Sequence, residues 1–66
     1  MKIHLNGRIH EIANPMTVTE LLESLGLGGK PVVVELDEEA VFPRAFPDTP
    51  VGEGARVEVV ALAAGG

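Results

Sequence analysis

Apolar and polar positions along this chain change period from segment to segment, and each change marks an element. From Met1 to Leu5 they alternate, with Met1, Ile3 and Leu5 set against Lys2 and His4. Alternation sends successive side chains to opposite faces of an extended chain, so it predicts a half-buried strand with those three residues inward. Asn6-Gly7 follows. That pair suits a type I′ hairpin turn, whose two central residues both need positive φ. The return strand is Arg8 to Ile12. A two-residue loop pairs Leu5 with Arg8, Ile3 with His10 and Met1 with Ile12, which turns Ile12 inward and Ile9 outward. A bulge would bring Ile9 inward instead.

After the connection Ala13-Asn14-Pro15 the period becomes helical. Val18, Leu21, Leu22 and Leu25 stand at i, i+3, i+4 and i+7, one apolar face. Thr17 is the predicted N-cap, and Glu20 three residues on completes a capping box. Met16 and Leu21 hold the two positions of a hydrophobic staple. Gly26 is the predicted C′ residue, with Leu27 folding back toward Leu22. Gly28 to Pro31 is a loop.

The period of two then returns. Val32 to Leu36 is the most apolar strand, with Val32, Val34 and Leu36 on one face. Asp37-Glu38-Glu39 is an acidic turn and Ala40-Val41-Phe42 a short strand. Pro43 to Pro50 holds three of the five prolines and is expected to be irregular, with Phe46 packed inward. Gly52-Glu53-Gly54 turns the chain into a last strand, Arg56 to about Ala61. Val57 and Val59 face the core there, and Glu58 and Val60 face out. A hairpin, a helix and further strands, with first and last strands as parallel neighbours, make a small α+β domain. It has one helix on one face of a mixed sheet of four to five strands.

Composition narrows the function. Sixty-six residues make one domain with a thin stability margin. There is no cysteine, which removes disulfides, thiolate metal sites and cysteine nucleophiles together. His4 and His10 are the only histidines, too few for a histidine-built metal site. The net charge of −5 and the scattered Lys2, Arg8, Lys30, Arg44 and Arg56 argue against nucleic-acid binding, which needs phosphate neutralisation. An acidic protein is steered instead to basic surfaces on a partner. No leader or membrane-spanning run is read from the pattern, so a cytoplasmic protein, monomeric when free, is expected.

The sequence closes on Ala63-Ala64-Gly65-Gly66. A strand running into small residues and a Gly-Gly end reads as an arm holding out a carboxylate. Glycine at both positions leaves no Cβ near the last carbonyl and opens backbone angles closed to other residues. Such an arm threads a narrow channel, and its carbonyl stays open to attack. A frayed chain end is the alternative. The expected division is a domain over 1–62 and a flexible tail over 63–66.

With its elements in this order, the chain resembles the ubiquitin-like β-grasp sulfur carriers, and among them the carriers of thiamine biosynthesis (ThiS). The resemblance runs over nearly the whole sequence. It rests on Met1-Lys2-Ile3 with the Asn6-Gly7 turn, Thr17-Val18-Thr19-Glu20-Leu21-Leu22, Val34-Glu35-Leu36, Val41-Phe42-Pro43-Arg44, and Gly54 to Val60 leading to Gly65-Gly66. It departs at Asp37-Glu38, where the family often has Asn-Gly, at Phe42 standing between Val41 and Pro43, and in the plain run Ala61 to Ala64.

The resemblance implies a β-grasp fold and a co-substrate role rather than an enzyme. A partner, an ATP-dependent adenylylating enzyme related to ubiquitin-activating enzymes, would make a Gly66 acyl-adenylate. A persulfide from a cysteine desulfurase or rhodanese-type donor would then convert it to a Gly66 thiocarboxylate for thiazole synthase. No cofactor is bound on this reading; ATP is used by the partner. Two alternative readings with the same terminal chemistry are the small sulfur-carrier subunit of molybdopterin synthase and a ubiquitin-like protein modifier conjugated through Gly66. A β-grasp interaction module with an idle tail is a different class.

Gly66 is thus the expected sulfur-carrying residue, with Gly65, Ala64 and Ala63 threading the partner's channel. Val60, Leu62 and Phe42 are candidate partner contacts, weighed against the scattered exposed apolar residues of any surface. Glu58 and Arg56 join them as charged candidates. The acidic group Glu35, Asp37, Glu38 and Glu39 is better read as a solvated turn than as a docking element. Gly26-Leu27-Gly28-Gly29 follows a helix instead of preceding one, which removes a phosphate-loop reading. His10, opposite Ile3, is a partly buried sheet residue with no second titratable group to make it catalytic.

Overall fold

The computed structural model describes residues 1–62. Ala63, Ala64, Gly65 and Gly66, and with them the expected tail, lie outside the described residues. The Asn6-Gly7 turn closes a hairpin between β1 (Lys2–Leu5) and β2 (Arg8–Glu11). Both turn residues have positive φ, 50° and 79°. The register is the expected one, Leu5 opposite Arg8 and Ile3 opposite His10. No bulge intervenes, so Ile9 is exposed and Ile12 buried. Met1 departs from expectation. Its backbone pairs with Ile12, but its side chain is 44% exposed, because it precedes β1 and lies outside the core cluster.

A two-residue strand, β3 (Met16–Thr17), leads into α1 (Val18–Ser24). Thr17 Oγ1 accepts from the Glu20 N–H at 3.1 Å and Glu20 Oε1 from the Thr17 N–H at 2.8 Å. The capping box therefore satisfies two donors that the helix itself cannot. At the other end the Leu27 N–H bonds Leu22 O at 2.8 Å and the Gly26 N–H bonds Glu23 O at 3.0 Å. Gly26 sits at φ +77°, which completes a Schellman stop. Val18, Leu21 and Leu22 are buried.

Next come β4 (Val32–Leu36), β5 (Glu39–Val41), a 3₁₀ helix (Pro43–Asp48), β6 (Pro50–Val51) and β7 (Arg56–Ala61). The main sheet has the order β2-β1-β7-β4-β5. Its β1–β7 pair is parallel and its other pairs antiparallel. This is the β-grasp arrangement, with the first and last strands adjacent at the centre.

The segment expected to be irregular is ordered. Pro43–Asp48 forms the 3₁₀ helix, and β6 pairs with β3 in a second, two-stranded sheet. Prolines hid this, since they neither alternate nor keep a helical period. Pro43 at the start of the 3₁₀ helix carries no N–H that would go unpaired. Val51, which no pattern had marked, is fully buried. The short strand is shifted by one residue: it ends at Val41, and Phe42 becomes the N-cap of the 3₁₀ helix. Phe46 packs against the core as expected. That core is wholly aliphatic, built from Ile3, Leu21, Val34, Val57 and their neighbours.

Candidate functional site

The site is organised by β7, the central strand and the last described element. Val57 and Val59 are buried on the helix side, while Arg56, Glu58 and Val60 alternate with them and are exposed, as is Ala61 at the strand's end. On one edge β4 pairs along its whole length, from Leu36 opposite Val57 to Val32 opposite Ala61. The ladder ends with the Leu62 N–H donating to Pro31 O at 2.9 Å. On the other edge β1 pairs only at His4–Arg56 and Leu5–Val57.

Two turn side chains extend this pairing. Asn6 Nδ2 donates to Val59 O at 3.1 Å and Asn6 Oδ1 accepts from the Val59 N–H at 2.7 Å. Asp37 Oδ1 accepts from the Arg56 N–H at 2.9 Å, while the Asp37 N–H donates to Arg56 O at 2.7 Å. Asn6 and Asp37 are the first residues of the two tight turns and both have positive φ. That conformation swings each main-chain carbonyl out of the ladder, and the side-chain oxygen replaces it. The sequence marked Asn6 as a turn former and Asp37 as part of a solvated turn; their hold on β7 was not visible in either segment alone.

The candidate contacts separate into two places. Val60 lies directly across from Val33, and both are about half exposed on the outer face of the sheet, at 56% and 48%. Val33 was not singled out from the sequence, although its parity opposite to Val32 and Val34 was the signal. Phe42, 65% exposed, stands one step past the Val34–Val41 pair. Leu62 is 50% exposed. It borders a groove of about 580 Å³ on the helix side, with Leu22, Leu27, Val32 and Phe46. The strand ends at Ala61.

Glu58 and Arg56 are both exposed. Glu58 faces Glu35 across the β4–β7 ladder, a like-charge pair on the outer face that opposes pairing. Arg56 lies beside His4 in the parallel pair. Gly66, Gly65, Ala64 and Ala63 lie outside the described residues. Among the described residues no polar side chain is buried, and no cluster of three His, Asp or Glu could hold a metal ion. No described helix is long and apolar enough to cross a membrane.

Comparisons with known proteins agree with this architecture. The family model described as "ThiS family" matches residues 3–66. The "Sulfur carrier protein ThiS" of Thermus thermophilus is 42% identical over 64 residues, covering 97% of this chain and 98% of that protein. A protein named "Thiazole synthase" from Paramagnetospirillum magneticum is 35% identical over 66 residues, which is all of this chain but 20% of that protein. Among solved structures, the crystal structure of the thiamine biosynthesis protein (ThiS) from Geobacter metallireducens is similar over 100% of both chains. Its TM-score is 0.85 at 35% identity. The solution structure of a thiamine biosynthesis protein from the same organism has a TM-score of 0.83 over 100% of this chain and 88% of that one.

Proposed function

The chain belongs to the ThiS family and is a sulfur carrier; from that premise we propose that its Gly66 carboxylate is the group that carries the sulfur. A carboxylate is a poor electrophile and must be activated. A partner enzyme joins the Gly66 carboxylate to the α-phosphate of ATP, releasing pyrophosphate and leaving an acyl-adenylate. A persulfide on a desulfurase or rhodanese-type donor attacks that carbonyl through its terminal sulfur and expels AMP. A dithiol then reduces the resulting acyl disulfide, freeing the donor as a thiol and leaving the Gly66 thiocarboxylate. No cysteine is present to hold sulfur elsewhere, and the acid, base and metal chemistry belongs to the partners.

The observation that carries the reading is a family match that runs through Gly65 and Gly66. Thiazole synthase is the proposed acceptor. Support comes from the thiamine names of the relatives, and from a protein named thiazole synthase that contains a segment matching this whole chain. Docking uses the outer face around Val60, Val33 and Phe42, together with Leu62 where the chain leaves the sheet. Glu58 and Arg56 flank that face, and Ala63 to Gly66 enter the partner's channel. The carrier itself binds no cofactor.

The test is the intact mass of the protein after incubation with ATP, the adenylylating enzyme, cysteine, a desulfurase and a reductant. A gain equal to one oxygen exchanged for sulfur, lost when Gly65 and Gly66 are deleted from a still-folded chain, is the expected result. No gain from partners proven on another ThiS carrier would overturn the reading.

A further inference from the structure

Asn6-Gly7 shapes the first hairpin, and the pair also carries a chemistry that the carrier role does not use. An asparagine carboxamide is an electrophile, and the main-chain nitrogen of the next residue stands the right number of bonds away to close a five-membered ring on it. That nitrogen gives its proton to solvent and attacks Cγ. The Cγ–Nδ2 bond breaks, and the departing nitrogen takes a proton from water and leaves as ammonia. Water then opens the cyclic imide at either carbonyl, giving aspartate or its β-linked isomer. The net change is one NH exchanged for one oxygen, with nothing oxidised or reduced. Glycine favours the step because no Cβ crowds its nitrogen. Nothing lies within 4 Å of the position a Cβ would take on Gly7, and both residues are exposed, so solvent reaches the reacting atoms.

The fold opposes ring closure in two ways. Closing the ring eclipses the Gly7 nitrogen with the Asn6 Cβ. A type I′ turn instead holds ψ of its first central residue near about +30°, and the φ values of 50° and 79° are those of such a turn. The side chain is pinned as well. Asn6 Oδ1 accepts from the Val59 N–H at 2.7 Å and Nδ2 donates to Val59 O at 3.1 Å, so both ends of the carboxamide are committed to the central strand. We propose that Asn6 is a site of spontaneous deamidation, closed by the folded hairpin and opened by unfolding. The step is one-way for the fold. Aspartate sets an oxygen against Val59 O where Nδ2 had donated, and the β-linked isomer adds a main-chain carbon to a two-residue turn. A chain that has stayed open long enough to react therefore refolds with less stability.

The test keeps the full chain at one pH and temperature, folded in buffer and unfolded in guanidinium chloride, and follows its intact mass over days. Asn6 and Asn14 are the only side-chain amides in the sequence. Asn14 precedes Pro15, which has no N–H to close the ring, so a gain of oxygen for NH reports Asn6 alone. The gain should accumulate in the unfolded chain and run about 30-fold or more slower in the folded one, the factor that two net hydrogen bonds contribute. A folded rate within about threefold of the unfolded rate would overturn the lock, and no gain in the unfolded chain would overturn the site itself. Asn6→Gly keeps the turn without the carboxamide and should gain no mass in either condition; a gain there would place the reaction elsewhere and overturn the assignment. Asn6→Asp tests the consequence. Its denaturation midpoint should lie below that of wild type, and an unchanged midpoint would overturn the one-way step.

Discussion

Glu38 stands in a conformation that its side chain does not favour, and replacing it with glycine is expected to stabilise the protein. The β4–β5 turn places Asp37 at φ 49° and Glu38 at φ 71°. A left-handed L-residue costs about 1–2 kcal/mol, which short polar side chains such as Asp partly offset by local hydrogen bonds. Asp37 has that offset in its bond to the Arg56 N–H. Glu38 is exposed and leaves no buried surface to lose. Glu38→Gly removes the strain, while the greater freedom of glycine in the unfolded chain takes back about 0.4–1 kcal/mol. The net gain is about 0.5–1 kcal/mol, or about 2–8 °C in Tm for a domain of this size. With no Trp or Tyr in the sequence, far-UV circular dichroism during urea denaturation is the suitable assay. The midpoint should rise with the slope unchanged. A midpoint that stays put or falls would refute the strain argument. The same variant should be adenylylated at the wild-type rate, since the turn is read as solvated.

Four further substitutions probe the rest of the molecule. Glu58→Lys turns the Glu35–Glu58 like-charge pair into an opposite one, so stability should rise by about 0.2–1 kcal/mol in thermal melts. If a basic partner surface reads this face, KM for the adenylylating enzyme should rise by about threefold or more at low salt. Val60→Lys puts a charge on the docking face and should raise KM by about tenfold or more, with Tm little changed because the site is exposed. Leu21→Ala hollows the centre of the core and should cost about 2–5 kcal/mol; circular dichroism would show much or all of this small domain unfolded. Thr17→Ala removes one half of the capping box and should cost about 1 kcal/mol in the same denaturation assay.

The elements that were legible in the sequence are those whose reasons are local. The Asn6-Gly7 hairpin follows from turn stereochemistry, and its register follows from a two-residue loop. The helix ends follow from Thr17, Glu20 and Gly26, each acting within four residues of its partners. The inward faces of the first, fourth and last strands follow from alternation. Even the outward position of Val60 was readable, because a strand carries its parity along its length.

Other features depend on segments brought together from afar. Met16–Thr17 becomes a strand because Pro50–Val51 lies beside it, and neither pair carries a pattern of its own. Val51 is buried because that small sheet covers it. Asn6 reaches Val59, and Asp37 reaches Arg56, across 53 and 19 residues of sequence, so a residue that reads as a turn former also holds the central strand. Alternation, capping and turn chemistry act between near neighbours, and so the sequence alone determined the hairpin, the helix and the inward faces of the main strands. Which turn side chains reach the central strand, and which short segments pair beside the helix, are set by distant groups packed into contact, and only the tertiary structure decided these.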